Sequence, residues 1–110
     1  MESIKLNQQH ADALRAAVTR PVAETDAALR SGVLERAAGG APVAEPYDEL
    51  VLQIAEAAYR ATDAQVAPVR DAAGSDKGAF EIIMSACIGA GLVRWDAAVR
   101  AIEGAGDASA

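Results

Sequence analysis

Aromatic side chains are almost missing from this chain: Tyr47, Tyr59, Phe80 and Trp95 are all that 110 residues contain. Cysteine and histidine occur once each, as Cys87 and His10. One cysteine excludes an internal disulfide. One histidine leaves a metal site without the further ligands at matching spacing that it needs, so no metal is expected, and no cofactor is implied. Basic residues are few and scattered, ten Lys and Arg against 16 Asp and Glu, for a net charge of −6. Neutralising phosphates takes clustered Lys and Arg, so neither a nucleic acid nor an anionic membrane is expected as a partner. No run of 18 apolar residues occurs, which predicts no transmembrane helix. The opening stretch, MESIKLNQQHADAL, has no apolar signal-peptide segment. These features together predict a cytoplasmic protein of bacterial type.

What the chain has in quantity is alanine, 28 residues of it, within an apolar fraction of 52%. The length suits one domain with a modest core. A monomer built from alanine buries little apolar area per residue. Alanine-faced helices pack closely and often complete their burial against another subunit, so a homo-oligomer is expected.

Apolar spacing predicts five or six helices and no strands. Asn7 is placed to cap a first helix that runs to about Thr19 and stops at Arg20-Pro21. A second helix is expected from near Val22, with Val22, Leu29, Val33 and Leu34 as its apolar positions and Gly39-Gly40 at its end. Residues 41–46 form a short extended linker. A third helix, Tyr47–Arg60, turns Leu50, Val51, Ile54, Ala57 and Ala58 to the core. Thr62-x-x-Gln65 is a capping box for the fourth helix, and Gly74 is its left-handed stop.

Ser75 or Asp76 caps the fifth helix, whose core positions are read as Phe80, Ile83, Met84, Cys87 and Ile88. Gly89-Ala90-Gly91 is expected to break or thin it before Leu92, Trp95, Val99 and Ile102 continue to about Glu103. The resulting division is an N-terminal helical pair and linker over 1–44, a helical core over 45–103, and a disordered tail over 104–110, all within one domain.

Few residues are candidates for chemistry. Cys87 lies in an apolar helix with no second thiol, which suits a small buried hydrophobe better than a nucleophile. His10 reads as a surface residue. Glu49 and Glu56 are seven apart and share a helix face, and Arg70 lies on the next helix; a carboxylate turned into an inter-helix pocket would supply a general base. Arg94-Trp95-Asp96 sets an amphipathic indole between two charges, which suits an interface or the lip of a pocket, and Tyr59 joins Trp95 and Arg94 as a candidate binding residue. Gly89-Ala90-Gly91 lacks the preceding strand and downstream Lys-Ser/Thr of a phosphate loop. A helix-turn-helix drawn over residues 62–88 would present Phe80, Ile82, Ile83 and Met84 to DNA, which is the wrong chemistry for phosphates and bases.

Asp48-Glu49-Leu50-Val51-Leu52, Pro68-Val69-Arg70-Asp71-Ala72 and Phe80-Glu81-Ile82-Ile83 resemble successive helices of the carboxymuconolactone decarboxylase and AhpD-type alkylhydroperoxidase superfamily. Ala79–Glu103 resembles its last helical hairpin. The resemblance spans Tyr47 to Glu103 and implies an all-α, compact five- or six-helix AhpD-like bundle that assembles into oligomers. The redox cysteine pair of that superfamily would fall near Ala61 and Ala64, and its histidine near Pro68. Proline neither shuttles a proton nor orients a thiolate. The resemblance therefore implies a redox-inactive member, acting as an accessory, structural or small-molecule-binding homo-oligomer. Two other functions are consistent with the residues: a decarboxylase-like enzyme using Glu49, Glu56 and Arg70, and an adaptor that binds a protein partner through the Trp95 surface.

Overall fold

The computed structural model describes residues 2–109 and contains five α-helices: α1 (Glu2–Val18), α2 (Ala27–Ala37), α3 (Tyr47–Ala57), α4 (Asp63–Ala73) and α5 (Asp76–Ser109). A 3₁₀ turn, Ala58–Arg60, extends α3. The chain is all-α, with no strand among the described residues. It is long for its mass, 54 × 29 × 22 Å, because α5 runs the whole length. The other four helices pack along α5, and α2 does so most extensively.

Local signals place α4 and the start of α5. Thr62 Oγ1 accepts from the Gln65 N–H at 3.3 Å, and Gln65 Oε1 accepts from the Thr62 N–H at 3.0 Å, which closes the capping box. Gly74 ends α4 at φ 85°, a conformation that glycine adopts without steric penalty. Ser75 Oγ then accepts from the Gly78 N–H at 3.0 Å and opens α5.

The core is built from Val33, Leu50, Val51, Ile54, Val69 and Ile82, joined by Ala37, Ala79, Ala86 and Ala90. Two polar clamps hold the connections to it. Between α2 and α3, Arg36 Nε donates to Asp48 Oδ1 at 2.9 Å, and the Val43 N–H donates to the same oxygen at 3.0 Å. Between α1 and α2, buried Arg30 donates to the carbonyls of Val18, Arg20 and Thr25. Glu81 on α5 completes this second clamp by accepting from the Thr25 hydroxyl and from the N–H groups of Glu24 and Thr25.

Several sequence expectations are corrected. α1 begins at Glu2 rather than at Asn7, and α2 begins at Ala27 rather than Val22. Val22 lies in the connecting segment at 92% exposure, because Arg30 and Glu81 hold residues 20–25 in a non-helical path. Gly89-Ala90-Gly91 neither breaks nor kinks the chain into a hairpin: α5 is one helix, and it continues through 104–109, the segment expected to be disordered. Once nucleated, a helix extends through alanine-rich sequence at little cost.

The buried face of α5 also differs. Ala79, Ile82, Ser85, Ala86, Gly89 and Ala90 are buried, whereas Phe80 is 61% and Met84 40% exposed and Cys87 is exposed. The reason is at Gly89, where a Cβ would overlap the backbone carbonyl of Leu34. α2 approaches α5 closer than a larger residue would allow, and it selects the small-residue face.

The sequence also predicted no membrane-crossing helix, yet by length and composition α5 is long and apolar enough for one, with a mean hydropathy of 1.5 over an 18-residue window within Asp76–Ala105. The longest uninterrupted apolar run is shorter than that, but isolated polar residues do not outweigh its aliphatic content. One-third of that window is buried against the rest of the chain.

Candidate functional site

A groove lies between α1 and α5. It is open, has a volume of about 560 Å³, and is lined by Asn7, His10, Leu14, Met84, Cys87 and Trp95 among others. Leu14 is 49% exposed within it. The groove is almost wholly apolar, and Asn7 and His10 on α1 supply its polar edge. The Trp95 indole N–H is already engaged, donating to Gln8 Oε1 at 2.8 Å, so the ring offers the groove its apolar face.

The residues singled out from sequence do not converge on one site. Trp95 is half-buried at the groove, as a residue at the lip of a pocket is. Its neighbour Arg94 points elsewhere, donating to the Ala90 carbonyl at 3.1 Å and to the Ala55 carbonyl on α3 at 2.9 Å. Tyr59 stands 88% exposed on the 3₁₀ turn. Glu49 and Glu56 are both exposed on α3. Arg70 pairs with Asp76 at 3.7 Å in a shallow polar depression at the α4–α5 corner, and not with either glutamate. These carboxylates therefore lack the burial that would make one of them a general base.

His10 is exposed, as the sequence suggested, and it edges the groove. Cys87, expected to be buried, also lines the groove from the α5 side. Among the described residues, no group of three His, Cys, Asp or Glu side chains is placed to share a metal ion.

The two shifted carboxylates are structural. Asp48 is held below the usual carboxylate value by the Val43 N–H, with Arg36 adding to that and burial opposing it. For Glu81, burial pushes the value up. The Thr25 hydroxyl, the Glu24 and Thr25 N–H groups and the charge of Arg30 together outweigh this and bring it down.

Sequence reasoning missed Asn7, Leu14 and Met84 as groove residues. The signal for the α5 side is present, since Met84, Cys87, Gly91 and Trp95 recur every three or four residues. Part of that spacing was assigned to the core.

Comparison with known proteins found no matching family model, no matching curated protein and no matching solved structure.

Proposed function

We propose that this chain works as a homo-oligomeric accessory or structural protein with an AhpD-like helical core and without cysteine-pair redox chemistry. The observation that carries the assembly is surface area. The chain exposes 6704 Å². A compact monomer of its mass exposes about 5,700 Å², so the surplus is about 1,000 Å². A standard protein pair buries about 800 Å² on each partner. The absence of redox chemistry rests on Cys87 being the single cysteine and on Ala61, Ala64 and Pro68 standing where the resembled superfamily has its cysteines and histidine.

Native mass spectrometry and analytical ultracentrifugation test this. The expected result is a multiple of the 11.3 kDa chain mass and no thiol-dependent peroxidase turnover. A monomer at every concentration overturns the assembly, and turnover by this chain alone overturns the redox-inactive half.

A second reading, a site for an apolar small molecule, is favoured by one observation. The α1–α5 groove, at about 560 Å³, falls within the size range of ligand pockets. The same mass spectra would show a retained ligand.

A further inference from the structure

α5 is apolar on two opposite faces. The face carrying Ile82, Ala86 and Gly89 is covered by the rest of the chain. The opposite face carries Phe80, Met84, Cys87, Gly91, Trp95 and Ile102, which recur at intervals of three, four or seven residues. At 100° per residue they form one stripe along the helix, and the spacing is that of a helix–helix seam. Phe80 is 61%, Met84 40% and Ile102 50% exposed, and α1 covers only one flank of the stripe. A helix that is apolar all round is normally buried all round.

Resting on the homo-oligomeric reading above, we infer that this stripe is where a second copy of the chain docks, α5 against α5 about a two-fold axis at Gly91. Three observations select this occupant. The area left in surplus is that of one side of a standard interface. Gly91 lies midway between Phe80 and Ile102, and a Cβ there meets nothing within 4 Å, so backbones can approach at the centre of the seam. The C-terminal half of α5 carries Ala98 and Ile102 exposed on this stripe, with Ala101 exposed beside it. An antiparallel pair lays that half over Phe80 and Met84 of the other copy, whereas a parallel pair leaves the two C-terminal halves only each other. An isologous contact of this kind closes at two copies.

Gly91→Arg is the test. It adds bulk and charge at the seam but fills open space in the single chain, and arginine is a better helix former than glycine. The expected result is a halved mass, down to the 11.3 kDa chain, with unchanged helical circular dichroism. A spin label on Cys87 of the unaltered chain gives the second readout. Eight residues of axial offset and the usual interaxial distance place the two Cys87 Cα atoms about 15 Å apart in the antiparallel pair.

An oligomer that survives Gly91→Arg, or one with distant labels, overturns this surface and leaves the homo-oligomeric reading standing. A wild-type monomer overturns both. A monomer that retains an apolar metabolite, or floats with phosphatidylglycerol vesicles, puts a different occupant on the stripe and also overturns the pairing. Ready disulfide formation between two Cys87 residues overturns the antiparallel arrangement, because their Cα atoms would have to approach within about 7 Å.

Discussion

The indole N–H of Trp95 on α5 donates to Gln8 Oε1 on α1 at 2.8 Å, across 87 residues of chain. α1 is otherwise held by Ala11 and Val18 and by an Arg15–Asp96 ion pair at 3.1 Å whose side chains are more than a third exposed. Exposed pairs of that kind contribute little. Gln8→Ala leaves a half-buried donor without its partner and is expected to cost about 1 kcal/mol. Trp95 is the only tryptophan, so the check is direct: its emission shifts to the red, and amide exchange in α1 speeds up relative to α3.

Arg30 is 3% exposed and donates to three carbonyls, those of Val18, Arg20 and Thr25. Val18 ends α1, so the guanidinium satisfies one of the helix's C-terminal carbonyls. Arg30→Met removes these donors and leaves Glu81 without its nearby positive charge. A loss of about 3 kcal/mol in urea denaturation is expected. Lysine lacks the planar fork that reaches several carbonyls at once, so Arg30→Lys is expected to recover less than half of it.

Acid should loosen the fold through Asp48 and Glu81. Both have folded-state values below their ordinary ones of 3.8 and 4.5. A carboxylate lowered in the folded state stabilises it fully above the unfolded value, and that contribution is lost as pH falls through the folded one. Stability is thus expected to be flat above about pH 5 and to decline below the ordinary carboxylate range. Asp48→Asn keeps an oxygen for the Val43 N–H but loses the charge that faces Arg36. Denaturation midpoints measured against pH should show a lower plateau and a shallower acid decline for this variant.

The parts of the fold legible in the sequence are those fixed by near neighbours. The Thr62–Gln65 capping box, the Gly74 stop, the Ser75 cap and the Leu50, Val51 and Ile54 positions of α3 appear as read, because each depends on spacing within a turn or two, whereas Ala58, read on the same face, is exposed in the 3₁₀ turn. α2 was misjudged at its start because its N-terminal boundary is set by Arg30 and Glu81, and Glu81 is 56 residues away from Thr25. On α5 periodicity had no single answer. Both faces are apolar, and the choice between them depends on whether α2 needs a close approach. Of the groove, Trp95 stands out in the sequence by its chemistry, whereas Asn7 and Leu14 line it only because α1 packs against α5.

Gly89 and Gly91 stand two residues apart on that helix and should respond oppositely to the same substitution. At Gly89 an added methyl overlaps the Leu34 carbonyl, a backbone atom that cannot rotate away. α2 would have to withdraw from α5, opening the contact that buries Val33 and Ala86. Gly89→Ala is therefore expected to destabilise by about 2–3 kcal/mol, even though alanine favours the helix. At Gly91 the same methyl meets nothing within 4 Å. Gly91→Ala should leave the single chain about 0.5–1 kcal/mol more stable, through helix propensity alone. Urea unfolding of both variants, at a concentration low enough to keep the chain single, separates the two effects. Equal responses would mean that α2 does not seat on Gly89 and that the packing face of α5 is wrongly assigned.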